Sequence, residues 1–177
     1  MEILIARLEL FDELGGGATK RLKAEEEVVV VETVGKAEGE KMLLEACKSG
    51  TLDQVLRALN VCGNPNVFNA EDESTSPLMY VCWREDWNVS ETIVKTLLQR
   101  GALVRVSDSK LWSALLFAAY NSSPGVVKLL LDILPRDDPF IDQGTKKGST
   151  PLSLCCERRD VDAIAVAEML LDHGANI

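Results

Sequence analysis

The residues of this chain that could do nucleophilic or metal chemistry are five cysteines and one histidine. A thiol nucleophile needs a base such as His173 within about 3 Å, together with an oxyanion hole. A zinc site needs thiols or imidazoles paired at short spacing, but Cys155 and Cys156 are adjacent and there is no second histidine. The pattern therefore predicts no catalytic residue, no metal and no cofactor. A thiol-dependent enzyme that uses Cys155 or Cys156 is the weakest hypothesis.

Two other patterns resemble reactive sites but lack a required feature. Residues 15–20 read Gly-Gly-Gly-Ala-Thr-Lys, whereas a phosphate-binding loop requires Gly-Lys followed by Ser or Thr. Three consecutive glycines favour a hinge instead. The carboxylates at 71–73 and 137–138 lack the alternating ligands and the closing glutamate of a calcium loop. We therefore interpret both acidic clusters as solvated loops.

The charge distribution excludes one large class of partner. The chain has a formal net charge of −9 at pH 7. Binding to nucleic-acid phosphates needs clustered lysines and arginines, but here the basic residues form only pairs such as Lys146-Lys147 and Arg158-Arg159. No apolar run reaches the roughly 18 residues of a membrane span, and charged residues interrupt the first apolar stretch, unlike a secretory signal. These observations predict no nucleic-acid partner, no membrane partner and a cytoplasmic or nuclear location.

A seven-residue pattern occurs four times, and this repeat must position the side chains discussed above. The copies are Lys41–Cys47, Ser76–Cys82, Ser113–Ala119 and Thr150–Cys156, so their starts lie 35, 37 and 37 residues apart. A nearly constant period of this size indicates stacked supersecondary units. Such stacks commonly present extended binding surfaces.

Each copy is followed by a second apolar segment, and three of the four segments end at a glycine. Gly63, Gly101 and Gly174 suit the left-handed residue just after a helix. In the third unit Pro135 is expected to end the helix, because proline cannot continue one. Prolines 77 and 151 lie near the start of the first segment, where a missing N–H costs nothing. Each unit is therefore predicted to be a helix, a turn, a second helix and a loop.

These residues resemble the ankyrin-repeat family. Its motif Thr-Pro-Leu-His-x-Ala is matched best from Thr150 to Leu154, although the motif histidine is replaced in every copy. The stretches Leu97–Ala102 and Leu170–Asn176 match the family's helix end. The resemblance implies an all-α, ankyrin-type helical solenoid of about four helix–turn–helix repeats.

The predicted repeat domain covers residues 41–177. Its units lie near 41–75, 76–112, 113–149 and 150–177. The ankyrin period is about 33 residues, so extra residues are predicted in the turns at 84–90 and 158–163 and in the loop at 135–147. Insertions at turns leave the packed helices intact.

Residues 1–40 do not fit the repeat and are predicted to form a non-repeat N-terminal segment. A terminal repeat exposes an apolar face unless something covers it, so we expect a cap of mixed structure. This cap could be two helices, or a hairpin that pairs residues 2–11 with residues 27–34. The apolar content of the segment disfavours the third alternative, which is a disordered acidic leader. Three interpretations stay open for the other end. The chain is a fragment of a longer protein, it is a short gene product, or it pairs through this end.

The repeat also predicts where three cysteines lie. Cys47, Cys82 and Cys156 occupy the same position of the unit, where the third copy has Ala119. We expect them to be buried between neighbouring units, because an unpaired buried cysteine behaves as a small hydrophobic residue. Trp87 is expected to lie in the inserted turn and to cover the junction between helices.

The resemblance implies partner contacts at the loop tips and on the concave face of the first helices. Carried onto this chain, the predicted partner-binding residues are Trp83, Arg84, Trp112, Tyr120, Asn121, Glu157, Arg158, Lys146, Lys147, Glu71 and Glu73. Tryptophan, tyrosine and arginine are enriched in interface hot spots, so Trp83, Trp112 and Tyr120 are the expected anchors. The alternative, that these rings only cover apolar gaps between units, stays open.

The main functional hypothesis is a non-enzymatic protein–protein interaction module that binds a protein partner. The alternative is a targeting or autoinhibitory fragment of a larger multidomain enzyme. The sequence specifies neither the partner nor the oligomeric state.

Overall fold

Helices make up the regular structure of the residues that the computed structural model describes, which are 35–69, 71–72 and 74–177. Within those ranges there are no β-strands, only two isolated bridges that pair Asn69 with Thr75 and Ser107 with Ser113. None of the described helices has the length and apolar content that a membrane span requires. The elements in chain order are α1 (35–49), α2 (Leu52–Cys62), α3 (Pro77–Trp83), α4 (Trp87–Gln99), α5 (Ala114–Asn121), α6 (Pro124–Leu131), a 3₁₀ helix (Pro139–Asp142), α7 (Pro151–Glu157) and α8 (Ala163–Asp172).

The first residue of three sequence copies is the N-cap of a helix. The hydroxyls of Ser76, Ser113 and Thr150 accept a hydrogen bond from the backbone N–H three residues later, at 3.3, 3.3 and 3.2 Å. Such a cap satisfies a helix-start donor and stabilises the helix by about 1 kcal/mol. Pro77 and Pro151 occupy the first helical position, as predicted.

Glycines follow the second helices where the sequence predicts them. Gly63, Gly101 and Gly174 have φ angles of 66°, 86° and 100°, which is the left-handed conformation that favours glycine. The end of α6 is different from the expectation. This helix ends at Leu131, four residues before Pro135, and the chain continues as a tight turn with a hydrogen bond from the Leu134 N–H to the Leu131 carbonyl at 3.0 Å.

The helices pack in two layers. In one layer α3 contacts α5 and α5 contacts α7, while in the other α2, α4, α6 and α8 contact one another in that order. Within each unit the two helices pack as a pair, namely α3 with α4, α5 with α6 and α7 with α8. Residues Lys36–Ile177 form one compact unit. This arrangement confirms the predicted all-α stack of helix–turn–helix units.

Equivalent positions of the second helices form the core. A β-branched residue and a leucine four positions later are fully buried in every unit, as expected for one face of a helix. These side chains are Val55, Leu59, Ile93, Leu97, Val126, Leu130, Val166 and Leu170. The repeat in the sequence is therefore a repeat of buried positions.

Two predictions about individual residues are wrong. Cys47 and Cys82 are fully buried, but Cys156 at the same repeat position is exposed. The reason is that α5 covers the face of α3 that holds Cys82, whereas no described helix follows α8 to cover α7. Trp87 is the first residue of α4 rather than part of a turn, so the connection after α3 is shorter than predicted.

The predicted N-terminal cap falls largely outside the described residues, since residues 1–34 are not described. Helix α1 includes residues 35–40 as well as 41–49. The boundary between the N-terminal segment and the repeat domain at residue 40 stays a prediction.

Thiol reactivity tests this pattern of burial. Burial raises the pKa of the Cys47 thiol to about 12, and it raises the pKa of Cys82 further. The thiolate is the reactive form, so we expect Cys156 to react with an aromatic disulfide reagent at neutral pH while the four buried cysteines react only after unfolding. Mass spectrometry of the modified peptides would measure this, and rapid modification of Cys82 in the folded chain would contradict it.

Candidate functional site

Four aromatic rings from two neighbouring units form one cluster, which we call the ring cluster (Trp83, Trp112, Phe117 and Tyr120). The Trp83 ring lies parallel to Tyr120, with centroids 6.0 Å apart, and edge-on to Phe117 at 5.5 Å. Trp112 stacks on Phe117 at 4.8 Å and meets Tyr120 edge-on at 6.2 Å. Each such pair contributes about 0.5–1.5 kcal/mol beyond its buried area.

The ring cluster is placed by equivalent positions of adjacent helices. Trp83 is the last residue of α3 and Tyr120 is the corresponding residue of α5, so the packing of these helices brings the two rings side by side. Trp83 is 49% exposed and Tyr120 is 38% exposed, whereas Trp112 and Phe117 are half-buried. Trp83 and Tyr120 therefore present their rings to solvent while Trp112 and Phe117 support them from below.

A tight turn positions Trp112. The Asp108 side chain accepts hydrogen bonds from the backbone N–H groups of Lys110 and Trp112 through one oxygen, Oδ1, each at 2.8 Å. The Asp108 N–H in turn donates to the Trp112 carbonyl at 2.8 Å. Leu111, between them, adopts a φ of 63°. Sequence reasoning missed Asp108 because an aspartate in a loop is usually solvated, but here only 6% of it is exposed.

A half-open cavity of about 170 Å³ lies beside the ring cluster. It is lined by Asp72, Thr75, Met79, Tyr80, Trp83, Asp108 and Phe117. Aromatic and thioether groups form its walls, and two of its lining residues are carboxylates. The cavity is thus an apolar recess with negative charge at its edge.

A polar group anchors one side of this cavity. The Tyr80 hydroxyl donates a hydrogen bond to Asp72 and accepts one from the Asn69 amide at 3.0 Å. The Lys48 ammonium lies 4.7 Å from the Tyr80 ring centroid and 3.6 Å from the Asp72 carboxylate. Burial of Tyr80 and its hydrogen bond to Asp72 raise the pKa of its phenol. At neutral pH Tyr80 is therefore a neutral hydrogen-bond donor that fixes the loop tip to α3.

The residues that follow Trp83, Tyr120 and Glu157 have a structural role that the sequence did not predict. Each donates hydrogen bonds to backbone carbonyls of the preceding unit. Arg84 donates to the Gly50 carbonyl at 2.9 Å, and the Asn121 amide donates to the Trp83 carbonyl at 2.9 Å. These bonds satisfy orphan carbonyls at or near helix ends, which otherwise lack partners. They join each unit to the one before it.

Arg158 is the most enclosed member of this series. Only 1% of its side chain is exposed. Its guanidinium donates to the carbonyls of Ala119 and Ser122 at 3.3 and 2.8 Å, and forms a two-pronged ion pair with Asp160 at 2.8 and 3.0 Å. These hydrogen bonds lower the pKa of the Asp160 carboxyl. A partner protein would not reach Arg158, so we remove it from the candidate surface.

The other predicted contact residues lie at the end of α7 and in loops. Glu157 is exposed at the end of α7, Lys146 and Lys147 are exposed in the preceding loop, and Glu71 is exposed at a loop tip. Glu73 lies outside the described residues.

Two of the groups that could do chemistry, His173 and Cys155, are held in structural contacts. His173 follows α8 and its Nε2 lies 3.0 Å from the Leu134 carbonyl, which ties the fourth unit to the third. Burial raises the pKa of Cys155, whose thiol lies 2.9 Å from the Ala163 carbonyl. Across the described ranges, no three side chains of the metal-binding types come together.

Comparison with known proteins agrees with this geometry. A family model described as ankyrin repeats, in three copies, matches residues 86–177, which is just over half of the chain. The chain belongs to the ankyrin-repeat family. Ankyrin repeats are generally protein–protein interaction modules, and the family is typically non-enzymatic.

A curated ankyrin repeat protein of Rickettsia bellii is similar to part of this chain. The two are 29% identical over 93 residues, which is 51% of this chain and 26% of the relative. The chain therefore spans about a quarter of the length of that ankyrin repeat protein.

Proposed function

We propose that the chain is a non-enzymatic module that binds a protein partner through the exposed face of its first-helix layer and the adjacent loop tips. The observation that carries this proposal is the ring cluster. Trp83 and Tyr120 keep 49% and 38% of their surface in solvent although they stack on other rings. Exposed tryptophan and tyrosine at the centre of a surface are the residue types that dominate binding energy in protein interfaces.

The proposed surface has an apolar centre and a charged edge. Trp83 and Tyr120 are the anchors, and Trp112 supports them through its contacts with Phe117 and Tyr120. The proposed surface also includes Glu71, Glu157, Lys146 and Lys147, which are exposed. A polar rim around aromatic anchors is the usual anatomy of such interfaces. Arg84 and Asn121 contribute mainly by holding the units together.

We also propose that the module has the extent and the location that the sequence predicts. The repeat domain would cover residues 41–177, with units near 41–75, 76–112, 113–149 and 150–177. Its five cysteines are unpaired, and four of them are buried. Unpaired buried thiols are usual in reducing compartments, which supports a cytoplasmic or nuclear location.

Affinity capture with matched variants tests the proposed surface. The full chain is immobilised, exposed to native lysate, and compared with Trp83→Ala/Tyr120→Ala by quantitative mass spectrometry. The two exposed rings are removed while Trp112 and Phe117 stay in place, so the fold should persist. We expect the wild-type chain to retain a defined protein that the double variant loses by at least about tenfold, since each hot-spot ring contributes 2 kcal/mol or more.

The control removes apolar surface elsewhere. Val61→Ala/Leu103→Ala truncates two side chains that are as exposed as Trp83 but lie outside the first-helix layer. This variant should capture the same protein as the wild type. If the ring variant folds by circular dichroism and captures the same proteins at the same level, the proposed surface is wrong.

A further inference from the structure

We propose that the ring cluster binds a proline-rich segment of the partner protein in the polyproline II conformation. The inference rests on the proposed function, because it names the chemistry of the partner at the same surface. Polyproline II is an extended helix without internal hydrogen bonds, and proline-rich segments bind in grooves lined by aromatic rings. Three features of the ring cluster favour such a segment, namely the directions of its rings, its unused hydrogen-bond donors and the state of the charges beside it.

The two exposed rings have the same orientation. The planes of Trp83 and Tyr120 differ by 4° and their centroids lie 6.0 Å apart, while Trp112 meets Tyr120 edge-on at 6.2 Å. Two residues of polyproline II advance by about 6 Å along its axis, since the rise is about 3.1 Å per residue. Adjacent rings of the cluster therefore match the separation of residues i and i+2 of such a segment. Proline also loses no side-chain rotamer freedom when it packs on a ring.

Three polar hydrogens of the ring cluster have no acceptor in the part of the chain that the structure describes. They belong to the indole N–H groups of Trp83 and Trp112 and to the Tyr120 hydroxyl. The remaining tryptophan is different, because the Trp87 indole donates to the Asn121 carbonyl at 2.9 Å. Tryptophan and tyrosine that bind with their rings usually also use this polar group. The ring cluster thus offers aromatic faces together with free donors.

A proline-rich segment is the complement of these donors. Every backbone carbonyl of polyproline II is free, because the conformation has no internal hydrogen bonds. Proline has no backbone N–H, so the segment brings no donor that would need an acceptor among the rings. An α-helix, in contrast, uses its carbonyls for its own hydrogen bonds and cannot accept from several donors along its length. The unused donors therefore favour polyproline II over a helix.

The charged groups beside the ring cluster are already held in contacts within the chain. The Lys48 ammonium lies 3.6 Å from the Asp72 carboxylate and 4.7 Å from the centroid of the Tyr80 ring. The Asp108 carboxylate accepts two backbone hydrogen bonds of its own turn. A charged occupant would lose hydration at the rings, where these groups already have partners. Charge complementarity thus favours a segment that is uncharged where it meets the rings.

Synthetic peptides test the inference without a known partner. The probes are three uncharged peptides of about 15 residues with blocked ends, a length at which an isolated helix can begin to form. One consists of proline, one alternates glycine with serine, and one carries leucines at helical spacing among glutamines. Each is titrated into the isotope-labelled full chain, and the indole N–H signals are followed by nuclear magnetic resonance.

The three tryptophans of the chain give this experiment an internal reference. We expect the proline peptide to shift the Trp83 and Trp112 indole signals saturably. The Trp87 signal should stay in place, because that N–H is already bonded to a carbonyl of the chain. The proline peptide should bind at least about tenfold more tightly than either other peptide. Equal or tighter binding of the glycine–serine peptide or of the helical peptide would overturn the inference.

Two variants that keep an aromatic ring assign the binding to the free donors. Tyr120→Phe removes the hydroxyl and Trp83→Phe removes the indole N–H, and each should weaken binding of the proline peptide roughly fivefold, as expected for one hydrogen bond. Leu103→Ala truncates a side chain that is 54% exposed and should leave binding unchanged. Binding of the proline peptide to Trp83→Phe/Tyr120→Phe at the wild-type affinity would contradict the assignment.

The failure of this inference is distinguishable from failure of the proposed function. If the proline peptide shifts neither the Trp83 nor the Trp112 signal, the polyproline II site is wrong. A protein partner that still depends on Trp83 and Tyr120 in the capture experiment would then leave the interaction surface standing.

Discussion

Replacing Arg158 with alanine is expected to lower the free energy of unfolding by about 3 kcal/mol. The guanidinium is almost wholly enclosed, and it donates to the Ala119 and Ser122 carbonyls of the preceding unit. The substitution leaves those carbonyls and the Asp160 carboxylate without their partner in a region that water reaches poorly. Urea unfolding followed by circular dichroism would measure the difference.

The neighbouring arginine is the matched control. Arg159 is exposed and has no hydrogen bond or ion pair with a described residue. Arg159→Ala removes the same side chain one position away and should change the free energy of unfolding by about 0.5 kcal/mol or less. Equal effects of the two substitutions would show that Arg158 does not join the third and fourth units in the way described.

Leu131→Ala is expected to lower the free energy of unfolding by about 2–5 kcal/mol, because it leaves a cavity in the core. Leu131 is 3% exposed in the third unit, which a further unit follows. Leu171 occupies the same repeat position in the fourth unit and is 42% exposed. Leu171→Ala should therefore lower the free energy of unfolding by roughly 1 kcal/mol or less, since much of that side chain is already in water.

This pair of leucines tests whether neighbouring units supply burial. The two positions have the same residue type, the same helix register and the same substitution, and they differ in what covers them. Chemical denaturation of both variants, read by fluorescence and by circular dichroism, gives the comparison. A similar loss of stability in both would contradict the idea that stacking, rather than the unit itself, buries this position.

The sequence predicts the fold well because the apolar positions that repeat in the sequence are the positions that are buried in the structure. The left-handed Gly63 and Gly101 were predicted from their place in the repeat, and the first residues of three copies, Ser76, Ser113 and Thr150, are N-caps in the structure. These features are local, since each depends on only a few neighbouring residues. Cys156 was predicted wrongly because burial at its position depends on a following unit, and sequence similarity between units does not report whether such a unit covers it.

The candidate site was predicted only in part. The exposed rings of Trp83 and Tyr120 followed from residue type and repeat position, but their contact with Phe117 depends on how α3 and α5 pack. Arg158 looked like a surface residue because arginine usually is one. Its enclosure results from reaching back to carbonyls 36 to 39 residues earlier, which no local pattern shows.

Site-specific photo-crosslinking most directly tests whether the ring cluster is the interaction surface. A photoreactive phenylalanine analogue is placed at Tyr120 in one sample and at Leu103, which is also exposed, in a second. Both chains are irradiated in native lysate, and covalent adducts are identified by mass spectrometry. We expect a single dominant protein adduct from position 120 that is absent from position 103 and is lost with Trp83→Ala. Adducts of equal yield and identity from both positions, or none from position 120 while position 103 reacts, would contradict the proposed surface.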